Sequence, residues 1–146
     1  QRRMAAFLVD YCRQLADVHD VRIEIGRIAE NLCNDNERVV QLYRIAQEAI
    51  ANAAKHAQAR LIEVSFDYLS TESILIMSVS DDGVGICSGS PRDGGLGMRM
   101  MAHRARMINA ELQIRPNHPS GTLVRCAIRC AEYPVTCEKI TDEVTP

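Results

Sequence analysis

The sequence predicts an α+β fold, a two-layer α/β sandwich in which helices cover one face of a mixed sheet. Segments with helical periodicity are few and unevenly spaced, whereas segments with β-like alternation include two adjacent pairs. So few helices cannot cover both faces of a parallel sheet, and a mixed or antiparallel sheet is therefore favoured. The chain has 146 residues, which is enough for one domain with a real core and too few for two.

The first part of the chain predicts a helix, a strand and a long helix, in that order. Apolar residues recur at helical period over residues 4–16, and strict alternation over 21–25 indicates a short strand. Residues 28–33 fit either a helical turn or an irregular connection. The helix-breaking residues at 34–36 offer an N-cap for a helix that runs from about 37 to 56.

The middle of the chain predicts a hairpin followed by a glycine-rich loop. Residues 61–68 and 73–80 are β-like runs around a four-residue turn, so the two strands are expected to pair antiparallel. The loop that follows runs from residue 81 to residue 97. Glycines recur along this loop.

The last part of the chain predicts one more helix, over 98–109, and two strands, at 111–115 and 122–129. From residue 132 the sequence is polar without a clear period, and a disordered tail over 132–146 is expected. The predicted domain therefore covers residues 1–131.

Composition excludes some classes of function. The chain is 47% hydrophobic and 25% charged, as globular proteins are, and its formal net charge of -2 argues against nucleic-acid binding, which favours a strongly basic surface. No apolar run reaches the roughly 20 residues that span a bilayer, and no signal peptide opens the chain. Because Gln1 is not a natural start, we expect a cytoplasmic piece of a longer protein; whether the parent is membrane-anchored stays open.

The six cysteines predict neither a metal site nor a disulfide framework. No two of them form a C-x-x-C pair or cluster with histidines, as zinc ligands do. Secreted disulfide domains are usually shorter and denser in cysteine. We expect mostly buried apolar thiols in a reducing compartment, with Cys87 and Cys137 as exceptions in polar sequence.

Four polar residues lie close together on the predicted long helix. Glu48 and Asn52 are four residues apart and Asn52 and Lys55 are three apart, which stacks their side chains on one helix face. His56 follows directly. A carboxylate, an amide oxygen and an ammonium that converge suit a metal–phosphate ligand. A solvated helix edge with an intrahelical charge pair is the alternative, and this segment alone favours that alternative.

A carboxylate and two glycines follow the second strand of the predicted hairpin. Asp81 stands at the strand end, and Gly83 and Gly85, before Ile86, let the backbone come close to a bound ring. The carboxylate can accept a hydrogen bond from an exocyclic amine, which is how a site selects adenine. An ordinary Asp-Gly turn explains the segment at least equally well.

Glycines also precede the third helix and the last strand. Residues 94–97 lead directly into the helix, whose backbone N–H groups form an anion cradle. A hinged loop is the alternative, and the segment matches neither the P-loop nor the Rossmann pattern. Gly121 precedes Thr122, whose hydroxyl can share a proton network with Asp81, although a turn glycine before a β-favouring threonine is the simpler explanation.

Together these segments resemble the catalytic ATP-binding domain of bacterial sensor histidine kinases, in the GHKL superfamily shared with DNA gyrase, the Hsp90 chaperones and MutL. The N-box is similar to 44–57, the D-x-G-x-G box to 81–85, the second glycine box to 95–98 and the G-T box to 121–124. The residues of the N-box are similar to those of the subgroup that pairs with LuxR-type response regulators. The resemblance covers about residues 5–130 and implies the Bergerat ATP-binding fold.

The resemblance implies how the long helix would serve an ATP site. Asn52 would coordinate a Mg²⁺ ion that bridges the ATP phosphates, and Glu48 would orient a metal-bound water or the attacking group. Lys55 would contact a phosphate, and His56 would line the ribose or the adenine. Catalysis would consist of positioning and of charge neutralisation at the transferred γ-phosphoryl group.

The resemblance also implies how the glycine segments would hold the nucleotide. Asp81 would accept a hydrogen bond from the adenine amine, helped by Thr122 through water. Residues 87–95 would form the ATP lid. The other implied nucleotide contacts come from glycines and their apolar neighbours: Gly83, Gly85, Ile86, Gly95, Leu96, Gly97 and Met98.

Two departures from the family pattern matter. The family's phosphoacceptor histidine lies in a separate dimerisation domain, and His19, which precedes Asp20 as the acceptor does, is too near the N-box and adjoins a strand. We therefore expect a monomeric piece that binds ATP, does not autophosphorylate alone and donates phosphate to a histidine-bearing dimerisation domain, for onward relay to a LuxR-type response regulator. Asn109 stands where the family often turns with glycine, a conformation that asparagine tolerates.

Two other functions stay open on the sequence alone. A serine-directed anti-sigma kinase belongs to the same superfamily, although the wording of the N-box argues against it. A nucleotide-sensing interaction module without transfer activity is supported by the missing acceptor. Acid-stable phosphoserine on a small partner would favour the first, and a parent without an upstream histidine-containing helix pair would favour the second.

Overall fold

The computed structural model describes residues 2–28, 36–86, 95–130 and 142–144. Within these ranges the helices are α1 (Arg2–His19), α2 (Asn36–His56) and α3 (Leu96–Met107). The strands are β1 (Arg22–Ile28), β2 (Leu61–Leu69), β3 (Ile74–Asp81), β4 (Glu111–Pro116), β5 (Thr122–Arg129) and β6 (Asp142–Val144). None of the described helices has the length and apolar composition that crossing a membrane requires.

The described strands form one mixed sheet in the order β4-β5-β3-β2-β1-β6. β1 and β2 pair parallel, and every other neighbouring pair is antiparallel. A parallel pair needs a crossover connection, and α2 lies in the segment that connects β1 to β2. The predicted α+β fold with a mixed sheet is confirmed, as is the predicted hairpin of β2 and β3.

The core lies between the sheet and a layer of helices. Burial alternates along β3, so that Leu75, Met77 and Val79 point to the same side of the sheet. α2 packs on that side and contacts both α1 and α3, whereas α1 also contacts β1 and α3 also contacts β4. The rings of Tyr43 on α2 and Phe66 on β2 stack with their centroids 4.9 Å apart. α2 is therefore the central helix, and its position decides what the neighbouring strand ends face.

Several helices and strands begin or end at residues other than those predicted. α1 extends beyond the predicted 4–16 at both ends. β1 continues to Ile28, so the predicted helical or irregular connection is wrong for that residue, which pairs with Phe66 on β2. Asp81 belongs to β3 rather than to the loop after it, because it pairs with Ile62. α3 begins earlier than predicted, at Leu96.

The prediction of a disordered tail is wrong for residues 142–144. They form β6, which pairs antiparallel with the edge of β1, Val144 opposite Ile23. A three-residue edge strand needs no alternating apolar face, so a polar sequence without period does not reveal it. The remaining tail residues, and the N-cap expected at 34 and 35, lie outside the described residues.

The cysteines that the structure describes are buried thiols, as predicted. Cys12, Cys126 and Cys130 are buried and form no disulfide. Burial raises the pKa of Cys12 and of Cys126 to about 12, so neither is a thiolate at neutral pH. The remaining cysteines lie outside the described residues: Cys33, Cys87 and Cys137.

Two polar side chains of α2 hold α3 in place. The Arg38 guanidinium donates to the carbonyl oxygen of Ile108, at 3.1 and 3.3 Å, and to that of Arg129, at 2.9 Å. One turn further, Arg104 of α3 donates to the side-chain oxygen of Gln41 at 2.8 Å, and Gln41 is only 8% exposed. The bonds to α3 involve its C-terminal half or the residue that follows it, and the bond to Arg129 ties α2 to the end of β5.

α3 ends in a Schellman motif. The Ala110 N–H donates to the Ala105 carbonyl at 2.8 Å, and the Asn109 N–H donates to the Arg106 carbonyl at 3.2 Å. Asn109 adopts a left-handed conformation with φ of 51°. Asparagine and glycine accept this conformation more easily than other residues, so the chain turns at Asn109 without a glycine.

We expect Asn109→Gly to leave the free energy of unfolding within about 0.5 kcal/mol of the wild type, because glycine adopts positive φ without strain. Asn109→Val should lower it by about 1–2 kcal/mol, because a β-branched side chain clashes with the backbone in the left-handed region. Urea unfolding of the three proteins measures both differences. Equal losses in the two variants would show that the asparagine side chain, and not the backbone conformation, matters at this position.

Candidate functional site

A cavity of about 710 Å³ lies between α2, the start of α3 and the adjoining ends of β3 and β5. This volume lies in the range of pockets that hold nucleotide-sized molecules. All the predicted site residues except two line the cavity: Glu48, Asn52, His56, Asp81, Gly85, Ile86, Gly95, Leu96, Gly97, Met98 and Thr122. The structure therefore brings the four sequence segments together, although they are far apart along the chain.

Lys55 and Gly83 are the two predicted site residues that do not line the cavity. Lys55 is exposed in the last turn of α2. Gly83 is buried against the end of α2, where a Cβ atom would overlap the carbonyl oxygen of Ala57. The neighbouring Val84 N–H donates to that same carbonyl at 2.8 Å. Glycine at 83 thus lets the turn pack on the helix end, and a phosphate contact by Lys55 stays a prediction.

Several lining residues were not predicted for the site. They are apolar side chains that continue the faces on which the predicted residues lie: Ala49, Ala53, Ala57, Val79, Met101, Ile114 and Val124. Residues two apart on a strand point to the same face of the sheet, so Val79 lies on the face of Asp81 and Val124 on the face of Thr122. Four-residue spacing relates the three alanines, so the same periodicities could have identified these residues.

Asp81 is the buried carboxylate of the site and is only 5% exposed. The Gly83 N–H donates to its Oδ1 at 2.9 Å, and the Thr122 backbone N–H donates to the same carboxylate. Burial raises the pKa of Asp81, the two backbone hydrogen bonds oppose that rise, and the charge of Asp82 adds to it. Thr122 thus supports Asp81 through its backbone amide, and a role for its hydroxyl stays a prediction. The carboxylate keeps acceptor capacity for a donor that enters the cavity.

Side chains outside the cavity fix the turn that follows Asp81. Asp82 Oδ1 accepts from the backbone N–H groups of Arg60 and Leu61, at 2.8 and 3.0 Å. The Asn117 side-chain amide donates to the Asp81 carbonyl at 3.0 Å. The Ser120 hydroxyl donates to the Asp82 carbonyl at 3.0 Å. No local sequence signal identifies these partners, because they come from two other segments of the chain.

Two glycines at this turn are required by backbone conformation. Gly121 has φ of 97°, and a Cβ atom there would overlap the carbonyl oxygen of Asp81. Gly85 has φ of 79°, and a Cβ atom there would lie 3.1 Å from the Gly121 carbonyl oxygen. Both conformations disfavour residues that have a Cβ atom. The glycines thus let the loop before β5 lie directly on the end of β3, which brings Thr122 to Asp81.

At the other end of the cavity, α2 and α3 approach each other through a third glycine. A Cβ atom at Gly97 would overlap the Glu48 carboxylate and lie 3.2 Å from the Asn52 amide nitrogen. No side chain caps the N-terminus of α3, where Gly95 is the N-cap residue. The first backbone N–H groups of a helix have no partner within the helix and attract anions. This end therefore combines a carboxylate, an amide and a helix N-terminus.

The chain matches a known family over most of this structure. Residues 37–132 match the family described as "Histidine kinase-, DNA gyrase B-, and HSP90-like ATPase". Among curated proteins, it is 39% identical over 103 residues to the oxygen sensor histidine kinase NreB of Staphylococcus carnosus, covering 70% of this chain and 28% of that protein. It is 36% identical over 92 residues to the sensor protein NarQ homolog of Haemophilus influenzae, covering 63% of this chain and 16% of that protein.

A third curated relative and two solved structures agree with this match. The histidine-protein kinase/phosphatase DegS of Brevibacillus brevis is 29% identical over 100 residues, covering 68% of this chain and 24% of that protein. The blue-light activated histidine kinase EL346 of Erythrobacter litoralis superposes with a TM-score of 0.70 at 20% identity, over 84% of this chain and 40% of that one. The histidine kinase AdeS of Acinetobacter baumannii superposes with a TM-score of 0.66 at 17% identity, over 90% and 65%.

The identities to the two solved structures are low, so these structures support the fold alone. The family match is the stronger finding, because it covers α2, both glycine segments and the last strand pair, which are the parts that build the cavity. The chain spans less than a third of the length of the curated relatives it matches. It belongs to the family of histidine kinase-, DNA gyrase B- and HSP90-like ATPases, as the kind of ATP-binding catalytic domain that sensor histidine kinases contain.

Proposed function

We propose that this chain transfers the γ-phosphoryl group of ATP to a histidine on a separate dimerisation domain of its parent protein, for onward relay to a LuxR-type response regulator in the cytoplasm. The observation that carries the proposal is the convergence of Asp81, Asn52 and Glu48 on one cavity. The curated relatives, which include the histidine kinases NreB and DegS, are much longer than this chain. A separate acceptor domain is consistent with that difference in length.

The adenine end of the proposed site is formed by the sheet. Asp81 accepts a hydrogen bond from the exocyclic amine of adenine, while Gly83 and Thr122 hold the carboxylate from the other side. Val79 and Val124 offer apolar contact to the ring. A buried acceptor discriminates strongly against a base that lacks the amine, because the acceptor would then lose a partner without regaining water.

The phosphate end of the proposed site is formed by the two helices. Gly97 and its neighbours present backbone N–H groups of α3 to the phosphates. The Asn52 amide oxygen and the Glu48 carboxylate are oxygen ligands of the kind that Mg²⁺ prefers. Both side chains lie against Gly97, where there is no space for a Cβ atom, and they are therefore close together. A bound Mg²⁺ ion would neutralise charge on the transferred group. We assign Asn52 as its protein ligand.

Phosphoryl transfer requires little covalent chemistry from this chain. The γ-phosphorus loses its bond to the bridging oxygen of ADP and gains one to an imidazole nitrogen of the acceptor, so ADP leaves with the electron pair of the broken bond. The residues described here hold the nucleotide, exclude water with the apolar lining and place donors where charge develops. His56 lines the cavity near the end of α2, where it would border the ribose or the adenine.

Incubation of this chain with the separately produced dimerisation domain of its parent and with ATP labelled at the γ-position tests the transfer. We expect label on the dimerisation domain that is lost in acid and kept in base, as phosphohistidine is. A dimerisation domain whose acceptor histidine is replaced by glutamine is the control and should stay unlabelled. Acid-stable label would contradict the proposal and favour serine as acceptor, and absence of label despite measurable ATP binding would favour a nucleotide-sensing module.

Asp81→Asn should weaken ATP and adenosine binding by about 30- to 100-fold, which corresponds to about 2–3 kcal/mol. The amide must turn its oxygen to the Gly83 N–H, so its NH₂ group faces the adenine amine donor to donor. Calorimetry should show that the wild type prefers adenosine over purine riboside, which lacks the amine, and that the variant does not. Asp82→Asn is the matched control, because its amide oxygen can still accept from Arg60 and Leu61; an equal loss there would contradict the assignment.

The same substitution should change how stability depends on pH. Because the pKa of Asp81 in the folded protein is raised above its ordinary value of 3.8, the protonated carboxyl favours the folded state. That contribution is complete below the ordinary pKa and is lost as pH rises through the raised one. The free energy of unfolding of Asp81→Asn, measured in urea without ligand, should therefore improve relative to the wild type as pH rises from 4 to 7. A change in the opposite direction would show that the carboxylate is stabilised by its surroundings.

A further inference from the structure

The cavity has an acidic lining. Among its described lining residues, Glu48 and Asp81 carry negative charge and none is lysine or arginine. The two carboxylates lie at different ends, because Asp81 is held by the turn after β3 whereas Glu48 reaches Gly97 on α3. A polyphosphate that enters this cavity therefore meets one carboxylate at the adenine end and another at the phosphate end.

No side chain in the described part of the chain neutralises Glu48. No described residue donates a hydrogen bond to its carboxylate or forms an ion pair with it, in contrast to Asp81, which accepts two backbone hydrogen bonds. Its oxygen lies where a Cβ atom of Gly97 would lie, beside the uncapped N-terminus of α3. An anion thus already occupies the place toward which phosphate oxygens would be drawn.

The negative charge of Glu48 acts on the Tyr11 hydroxyl of α1. The Tyr11 hydroxyl of α1 lies 3.5 Å from the Gln47 carbonyl oxygen. Burial, first, and the charge of Glu48, second, raise the pKa of Tyr11. Two like charges a few ångströms apart repel each other, and the repulsion grows as water is excluded. The triphosphate of ATP carries several charges and lies in the same cavity when bound.

We propose that Glu48 makes the site selective for metal-loaded nucleotide, by repelling a triphosphate that arrives without a divalent cation and attracting one that carries it. This inference rests on the proposed ATP site. With a divalent cation held by Asn52, the Glu48 carboxylate would attract the loaded nucleotide instead of repelling it. Glu48 is then a specificity-determining residue, whose effect on binding is separable from any effect on transfer.

Calorimetric titrations of the wild type, Glu48→Gln and Glu72→Gln test this selectivity. Each protein is titrated with ATP plus Mg²⁺, with ATP plus EDTA, and with adenosine. Glu72 lies in the exposed turn between β2 and β3, so Glu72→Gln removes the same charge far from the cavity. We expect Glu48→Gln to bind metal-free ATP about tenfold more tightly, and Mg²⁺-loaded ATP no more tightly, than the wild type does.

Adenosine affinity is the control for folding and for the adenine end, and it should be the same in all three proteins. A Glu48→Gln variant whose ratio of metal-free to Mg²⁺-loaded affinity lies within twofold of the wild-type ratio would overturn the inference and leave the proposed ATP site intact. A wild type that binds neither adenosine nor ATP would overturn both. A change in Glu72→Gln equal to that in Glu48→Gln would assign the effect to net charge and also overturn the inference.

A measurement on the wild type alone gives a second, variant-independent test. If the carboxylate repels metal-free ATP, screening by salt should raise the affinity for metal-free ATP, whereas a site that attracts phosphates loses affinity with salt. Tetramethylammonium chloride is the suitable salt, because its cation does not substitute for a metal ion. A steady fall in affinity with rising salt would show that a cationic group dominates the phosphate end and would overturn the inference.

Discussion

The site depends on one geometric constraint, which is that the alternation of β3 continues through its last residue. Leu75, Met77 and Val79 face the helices, and the next residue with that orientation is Asp81. The Asp81 carboxylate therefore lies on the face of the sheet whose other residues form the core. It can remain there only because backbone amides donate to it, since a buried charge without partners is costly. The turn after β3 and the start of β5 supply those amides.

Because of this constraint, each glycine of the site has a different structural role, which the spacing of the glycines along the sequence does not show. Gly83 allows the turn to pack on the end of α2, and Gly121 allows the loop before β5 to cover the Asp81 carbonyl. Only Gly97 adjoins the polar residues of α2. Three glycines that sequence patterns group together thus allow three different approaches, of a turn to a helix, of a loop to a strand and of a helix to a helix. Together they bring four separate segments within reach of one ligand.

Periodicity predicted the residues whose role follows from the face on which they lie. The hairpin, the long helix and the shared face of Glu48 and Asn52 could be predicted because each rests on neighbours within a few residues. The parallel pairing of β1 with β2 and the strand β6 could not, because register between distant segments has no local signal. The same reason hides the bonds of Asn117 and Ser120 to the turn after β3. For Thr122 the sequence identified the residue but not its backbone hydrogen bond to Asp81, since backbone donors carry no signature in the side-chain pattern.

α2 serves the core and the site at once because its faces differ in side-chain size. Ile45 and Ile50 fill the core, whereas Ala49, Ala53 and Ala57 leave space beside the sheet, and that space is the cavity. The N-terminal half of α3 lines the cavity, whereas Arg38 and Arg104 bond the C-terminal part of α3 to α2. None of the described lining residues is a lysine or an arginine. The described lining residues at the phosphate end therefore offer oxygen acceptors and backbone amides. A cation that arrives together with a triphosphate would balance its charge beside these groups, and the Glu48 carboxylate would favour the metal-loaded form for the same reason.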